Sequence, residues 1–215
     1  MTGGTQARWR LNRLMGLAGD STVVARESAR IWRPLLGGPA VWLFMTVEVV
    51  TFGMFLLVYA WGWRSDAEAF AQSQSLLHVE SAVRGTAMLL LGSLAAYLGA
   101  LAHEAGRSRA AQAWLGGAAT LAVLFSVNKI VEYSSPELAG VSLSTNRFWF
   151  SYLFLTGMHL LHVMGGVIIF AWLAWVAGRG PQREGAFSVE TGAVYWHLVD
   201  LIWILLFPIL YLMHP

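Results

Sequence analysis

The 215-residue chain has no cysteine and a single lysine, Lys129. Without thiols it can form no disulfide, Cys-ligated zinc site, iron–sulfur cluster or covalently attached c-type haem. Charge is scarce as well. Charged residues make up 12% of the chain and hydrophobic ones 57%, where a soluble domain runs at about 25% and 45–50%. These proportions exclude a soluble globular domain. With 28 aromatic residues (11 Trp, 6 Tyr and 11 Phe), disorder is excluded too. Catalytic signatures are also missing: there is no phosphate loop, dinucleotide fingerprint, nucleophile elbow or HExxH metal motif. The net charge of +2 sits in tails and loops, where it bears on membrane orientation and not on nucleic acid.

What remains is long apolar runs. A bilayer span needs about 20 mostly apolar residues, and five such runs are present, at about 39–63, 83–102, 111–133, 148–177 and 192–213. They are too long and too little alternating for membrane strands. The expected fold is therefore an all-α integral membrane protein, an antiparallel bundle of five transmembrane helices joined by short loops. Pro39 suits the first turn of the first helix, where a missing N–H costs little. Residues 1–38 form a separate basic segment in which Arg8, Arg10 and Arg13 alternate with Trp9, Leu11, Leu14 and Met15. This pattern fits either an interfacial amphipathic helix or an unstructured tail. No apolar stretch of a secretory signal follows its first charges.

Arginines set the orientation. Ten of them fall in the N-terminal segment, the second-to-third loop and the fourth-to-fifth loop, whereas Arg64, Arg84 and Arg147 fall on the other side. The positive-inside rule places the N-terminus in the cytoplasm and the C-terminus in the periplasm, as expected of a multi-pass protein of the bacterial inner membrane. Gly92, Ala96 and Ala100, and Gly157 with Gly165 and Gly166, supply the small residues that let membrane helices approach closely.

Ionisable groups inside a span are costly and mark an interior cluster or a cavity. Glu48 lies mid-span on the first helix and His159 and His162 mid-span on the fourth, with His197 and Asp200 on the fifth. All five fall at similar depth, which predicts one shared interior network. Asn128, Lys129 and Glu132 form a second polar group near the outer end of the third helix, where Glu132 is expected near water. The i,i+3 spacing of His159 with His162, His197 with Asp200 and Lys129 with Glu132 places each pair on one helix face. The first cluster fits a hydrogen-bond network that fixes helix register, an axial b-haem site, a His–carboxylate metal site or a proton path.

Three segments resemble subunit III of haem–copper oxidases, the cytochrome c oxidase subunit III family. They are WLFMTVEVVTFGMF from Trp42 to Phe55, FLTGMHLLHVMGG from Phe154 to Gly166, and YWHLVDLIWILLFPILYL from Tyr195 to Leu212. The likeness runs from about residue 39 to the end and corresponds to the shorter, five-helix bacterial members. The runs VSLSTNRFWFSYLFLTGMHLLHV and VETGAVYWHLVDLIWILLFPILYLM, with QSQ at 72–74, are most similar to a branch encoded with nitric oxide reductases. Gly85–Thr86 departs from the Asn–Thr expected at the start of the second helix. The resemblance implies a non-catalytic subunit without redox centres or metal of its own. Such a subunit binds phospholipid, packs on catalytic subunit I of an oxidase or nitric oxide reductase that holds the haems and the copper or iron, and sustains proton uptake and oxygen access in respiration or denitrification. It makes Glu48 the family's buried carboxylate, and His159, His162, His197 and Asp200 its intramembrane polar network. The competing expectation from the residues alone is a free-standing b-type cytochrome or a proton-conducting membrane protein.

Overall fold

The structure is a computed structural model and describes residues 38–179 and 188–213. The amphipathic reading of the N-terminal segment falls on residues outside this set. The described chain is helical throughout: α1 Gly38–Ser65, α2 Ala67–Gln74, α3 Val79–Glu104, α4 Ser108–Tyr133, a 3₁₀ turn Pro136–Leu138, α5 Arg147–Ala177 and α6 Val189–Phe207, which continues as a π-helical turn Pro208–Leu212. Five of these helices are long and apolar enough to cross a membrane. They match the five spans expected, with ends shifted by a few residues.

The helix ends follow from local chemistry. The Asn146 side chain accepts the Trp149 N–H at 2.9 Å and starts α5, and Ser188 does the same for α6 through Thr191 at 3.2 Å. Such caps satisfy donors that the first turn leaves open. Between α3 and α4 the chain reverses at Gly106, whose φ of 69° suits glycine alone. Its neighbour Arg107 donates to the Ala102 carbonyl at 2.8 Å, closing a Schellman motif. Pro208 has no N–H to give, and the helical ladder widens from that residue into the π turn. Three elements were not expected from the sequence: α2, the 3₁₀ turn and the π turn. Together they roof one end of the bundle. Gln74 of α2 donates to the Leu210 carbonyl of the π turn at 3.0 Å, and Asn146 donates to Ser73 at 2.9 Å.

The helices α3, α4, α5 and α6 form a four-helix bundle, in which α4 packs on α3 and α5, and α6 packs on the same two helices. The first helix, α1, is attached more loosely to α5 and α6, and only 6% of its span is buried. Close packing in the bundle depends on glycine. A Cβ at Gly166 would lie 2.7 Å from the Trp196 ring, and one at Gly92 would lie 3.3 Å from the other side of the same indole. The two glycines, on α5 and α3, thus form a slot for a fully buried Trp196. Ala96 is also fully buried. Gly157 differs from its expected packing role: a Cβ there meets nothing within 4 Å.

Candidate functional site

A buried ion pair lies on α4. Lys129 and Glu132, one turn apart, form an ion pair at 2.9 Å with both side chains 1% exposed. The Tyr152 and Tyr211 hydroxyls donate to the same Glu132 Oε1 at 2.6 and 2.5 Å. Lys129 donates to Tyr152 at 3.1 Å and also to Tyr211. The ammonium lies 5.0–5.4 Å from the ring centres of Tyr133, Tyr152, Trp203 and Tyr211, so a cage of π faces adds to the attraction of the carboxylate. A charge in a dry interior needs such saturation, because desolvation alone costs several kcal/mol per ion, to an order of magnitude of about that size.

The sequence places Lys129 and Glu132 together correctly but leaves Glu132 near water, and the structure corrects this. The Tyr152 and Tyr211 side chains cover Glu132 Oε1. Within this ion-pair group, Glu132 Oε2 lacks a partner among the described residues, and Glu132 lines a cavity of about 550 Å³ together with Asn128, Arg84, His78 and Glu137. Asn128 is adjacent in sequence to Lys129, but it takes no part in the ion pair. It turns toward α3, where its Nδ2 donates to the Ser81 carbonyl at 3.0 Å. At the water-facing turn, the Glu137 carboxyl is held below the usual carboxylate range. Its own backbone N–H is the main cause, with His78 beside it at 3.2 Å.

The five polar groups expected to form one network occupy three places instead. Glu48 on α1 meets His162 on α5, with Oε2 and Nε2 3.1 Å apart. The other nitrogen of His162 lies 2.7 Å from the Met158 carbonyl. A carbonyl only accepts, so this bond fixes a proton on Nδ1. Nε2 is then the ring nitrogen that meets the Glu48 carboxyl. The rings of Phe44 and Phe52 flank the imidazole at 6.2 and 5.7 Å.

His159 is fully buried in the bundle. It stacks on Trp203 at 5.1 Å and meets the edge of Phe125 at 5.7 Å. Neither of its ring nitrogens has a hydrogen-bond partner among the described residues. His197 and Asp200 on α6 turn toward α3. His197 Nδ1 lies 2.7 Å from the Ser93 hydroxyl, and the same hydroxyl hydrogen-bonds Asp200. The split has a simple cause: α1 attaches on the α5 side of α6, and α3 lies on the other. Equal depth fixes height along the membrane normal but not direction around it. Among the described residues no three His, Asp or Glu side chains are grouped so as to hold a metal ion.

The carboxyls give a chemical test. A hydrophobic carbodiimide modifies a protonated carboxyl that it can reach from the membrane. Glu48 lies on the loosely attached α1 beside a single polar partner, His162 of α5, with 14% of its side chain exposed. Glu132 accepts three donors through Oε1, and 1% of its side chain is exposed. Labelling of intact membranes, located by peptide mass mapping, is expected at Glu48 and not at Glu132. Labelling of Glu132 with Glu48 spared would contradict this geometry.

With helices and polar sites placed, comparison with known proteins decides the family. The family model for cytochrome c oxidase subunit III matches residues 79–214. The chain belongs to that family. The match begins at α3 and runs through the 3₁₀ turn, the ion pair, α5, α6 and the π turn, leaving α1 and α2 outside it. Among curated proteins, cytochrome c oxidase subunit 3 of Synechocystis sp. is 33% identical over 129 residues, 59% of this chain and 54% of that protein. Cytochrome bo(3) ubiquinol oxidase subunit 3 of Pseudomonas aeruginosa is 28% identical over 173 residues, 80% and 82% of the two chains. Cytochrome c oxidase subunit 3 of Thermostichus vulcanus is 30% identical over 131 residues, 60% of this chain and 63% of that one. The chain thus spans about half the length of the Synechocystis relative and most of the Pseudomonas one. With five helices able to span a bilayer, this subunit III family member is a multi-pass inner-membrane protein.

Proposed function

We propose that the chain is the accessory third subunit of a respiratory haem–copper oxidoreductase, seated on catalytic subunit I and carrying no redox centre of its own. The observation that supports this most is the family match across α3 to α6, since relatives over the same region are named as third subunits of cytochrome c and quinol oxidases. The interior agrees with a supporting role. Its buried ion pair is held by neighbouring side chains, in the Lys129–Glu132–tyrosine group, and Glu48 meets His162 at 3.1 Å. In this role the N-terminus faces the cytoplasm, and the weakly buried α1 is covered by phospholipid or by the partner. The pair beneath it then serves the proton and oxygen supply of the catalytic subunit.

The resemblance of the runs at 141–163 and 189–213 to the branch encoded with nitric oxide reductases favours a catalytic partner of that kind, with iron or copper beside its haem. Affinity purification of the tagged chain from native membranes tests the proposal. A haem-bearing catalytic subunit is expected to co-elute in about equal amount, and metal analysis of that subunit assigns the branch. A chain that elutes alone, or with an intrinsic haem, overturns it.

A further inference from the structure

His197 is the one histidine of the spans that its own helix bundle leaves uncovered. It is the ninth residue of α6, about 12 Å along the helix at 1.5 Å per residue, and so well inside the hydrocarbon layer. Its residue is exposed, as are Leu201, Ile204 and Leu205 further along the same face. Across from it on α3, Leu90 and Tyr97 lie one turn either side of Ser93 and are also exposed. The surface is thus an apolar stripe with one polar head at its centre. Ser93 occupies Nδ1, and behind Ser93 stands Asp200, which is buried and has an Oδ1 without a partner. Nε2 has no partner among the described residues and points away from the group that holds the ring.

Lipid tails offer an imidazole nitrogen nothing to bond, and headgroups lie too far away along the normal. An unmet polar group in hydrocarbon is expensive, and polar side chains in spans face a protein partner or a cavity for that reason. The Ser93–Asp200 pair also restrains the ring, so it cannot turn inward without giving up its only bond. From this geometry, and resting on the accessory-subunit reading above, we infer that the α3–α6 face centred on His197 is the seat of a transmembrane helix of the catalytic subunit, and that this helix meets His197 Nε2 with a hydroxyl or carboxamide side chain. Either group can donate or accept, so it satisfies the ring in both tautomers. The apolar residues around His197 supply the close packing, and the polar contact fixes the register of the two helices, as single polar residues do at helix interfaces.

Two measurements on the complete complex test this. A photo-crosslinking amino acid at Leu201, one turn from His197, is expected to yield an adduct with the catalytic subunit. Adducts with lipid only would overturn the inference. In parallel, His197→Leu is expected to reach the membrane at the wild-type level but to co-purify with the catalytic subunit at least tenfold less, whereas His197→Gln retains most of the association. Wild-type co-purification of His197→Leu would contradict the anchor, and the Leu201 crosslink decides the matter if that variant fails to accumulate. Absence of any catalytic subunit from the wild-type preparation would instead overturn the accessory reading itself, and with it the seat.

Discussion

Replacing Lys129 with Met is expected to remove most of the folded chain from the membrane. The substitution leaves the Glu132 carboxylate in a site where 1% of its side chain sees solvent, held only by two tyrosine hydroxyls. Removing one partner of a buried ion pair costs about 3–5 kcal/mol, a large part of the roughly 5–15 kcal/mol that holds a typical domain together. The double variant Lys129→Met with Glu132→Leu is expected to recover much of that loss, because no charge is left stranded. Its recovery stays incomplete, since the Tyr152 and Tyr211 hydroxyls lose their acceptor, although at 3.2 Å they can still bond each other. Thermal unfolding in detergent, followed by tryptophan fluorescence, separates the three proteins. A single variant as stable as the wild type would show that the buried pair contributes nothing to the fold.

A second large loss is expected from Gly166→Leu. The added Cβ alone comes within 2.7 Å of the Trp196 ring. That indole has nowhere to go: it is fully buried, rests against Phe170 at 5.2 Å and is backed by Gly92 on α3. Overpacking a rigid core costs about 1–3 kcal/mol and occasionally more, and a Leu side chain adds three further carbons beyond the clash. The expected outcome is a chain that inserts but unfolds at a clearly lower temperature. Gly157→Leu, where a Cβ finds open space, is expected to leave the unfolding temperature nearly unchanged. Equal behaviour of the two variants would show that the slot does not hold α3, α5 and α6 together.

The spans were legible because length and apolarity are one-dimensional properties, and a bilayer reads them in the same way. The Lys129–Glu132 pair was legible for the same reason, since i,i+3 spacing is set by a single helix. Their tyrosine partners were not. Tyr152 lies 23 residues from Lys129 and Tyr211 lies 82, and a tyrosine near the end of a span reads equally well as part of an interfacial belt. Short, weakly apolar segments such as α2 and the two tight turns carry little periodic signal, so the sequence alone leaves Glu132 near water. The single cluster expected of Glu48, His159, His162, His197 and Asp200 failed for a geometric reason. Helices that are apolar all round leave their rotation unmarked, and sequence depth cannot say that His162 turns to α1, His159 to Trp203 and His197 to Ser93. Small residues were readable as packing sites, but only the fold shows that Gly92 and Gly166 grip one indole while Gly157 grips nothing.

In the proposed role, this five-helix chain supports a catalytic subunit and does no electron transfer itself. The most direct test is the haem content of the chain after it has been separated from its complex and shown to keep its helical content. The haem spectrum of the complex is expected to stay entirely with the catalytic subunit, and the separated chain to show no absorption in the Soret region. A separated, folded chain that retains one haem per molecule, lost on replacing His159 or His197, would contradict it.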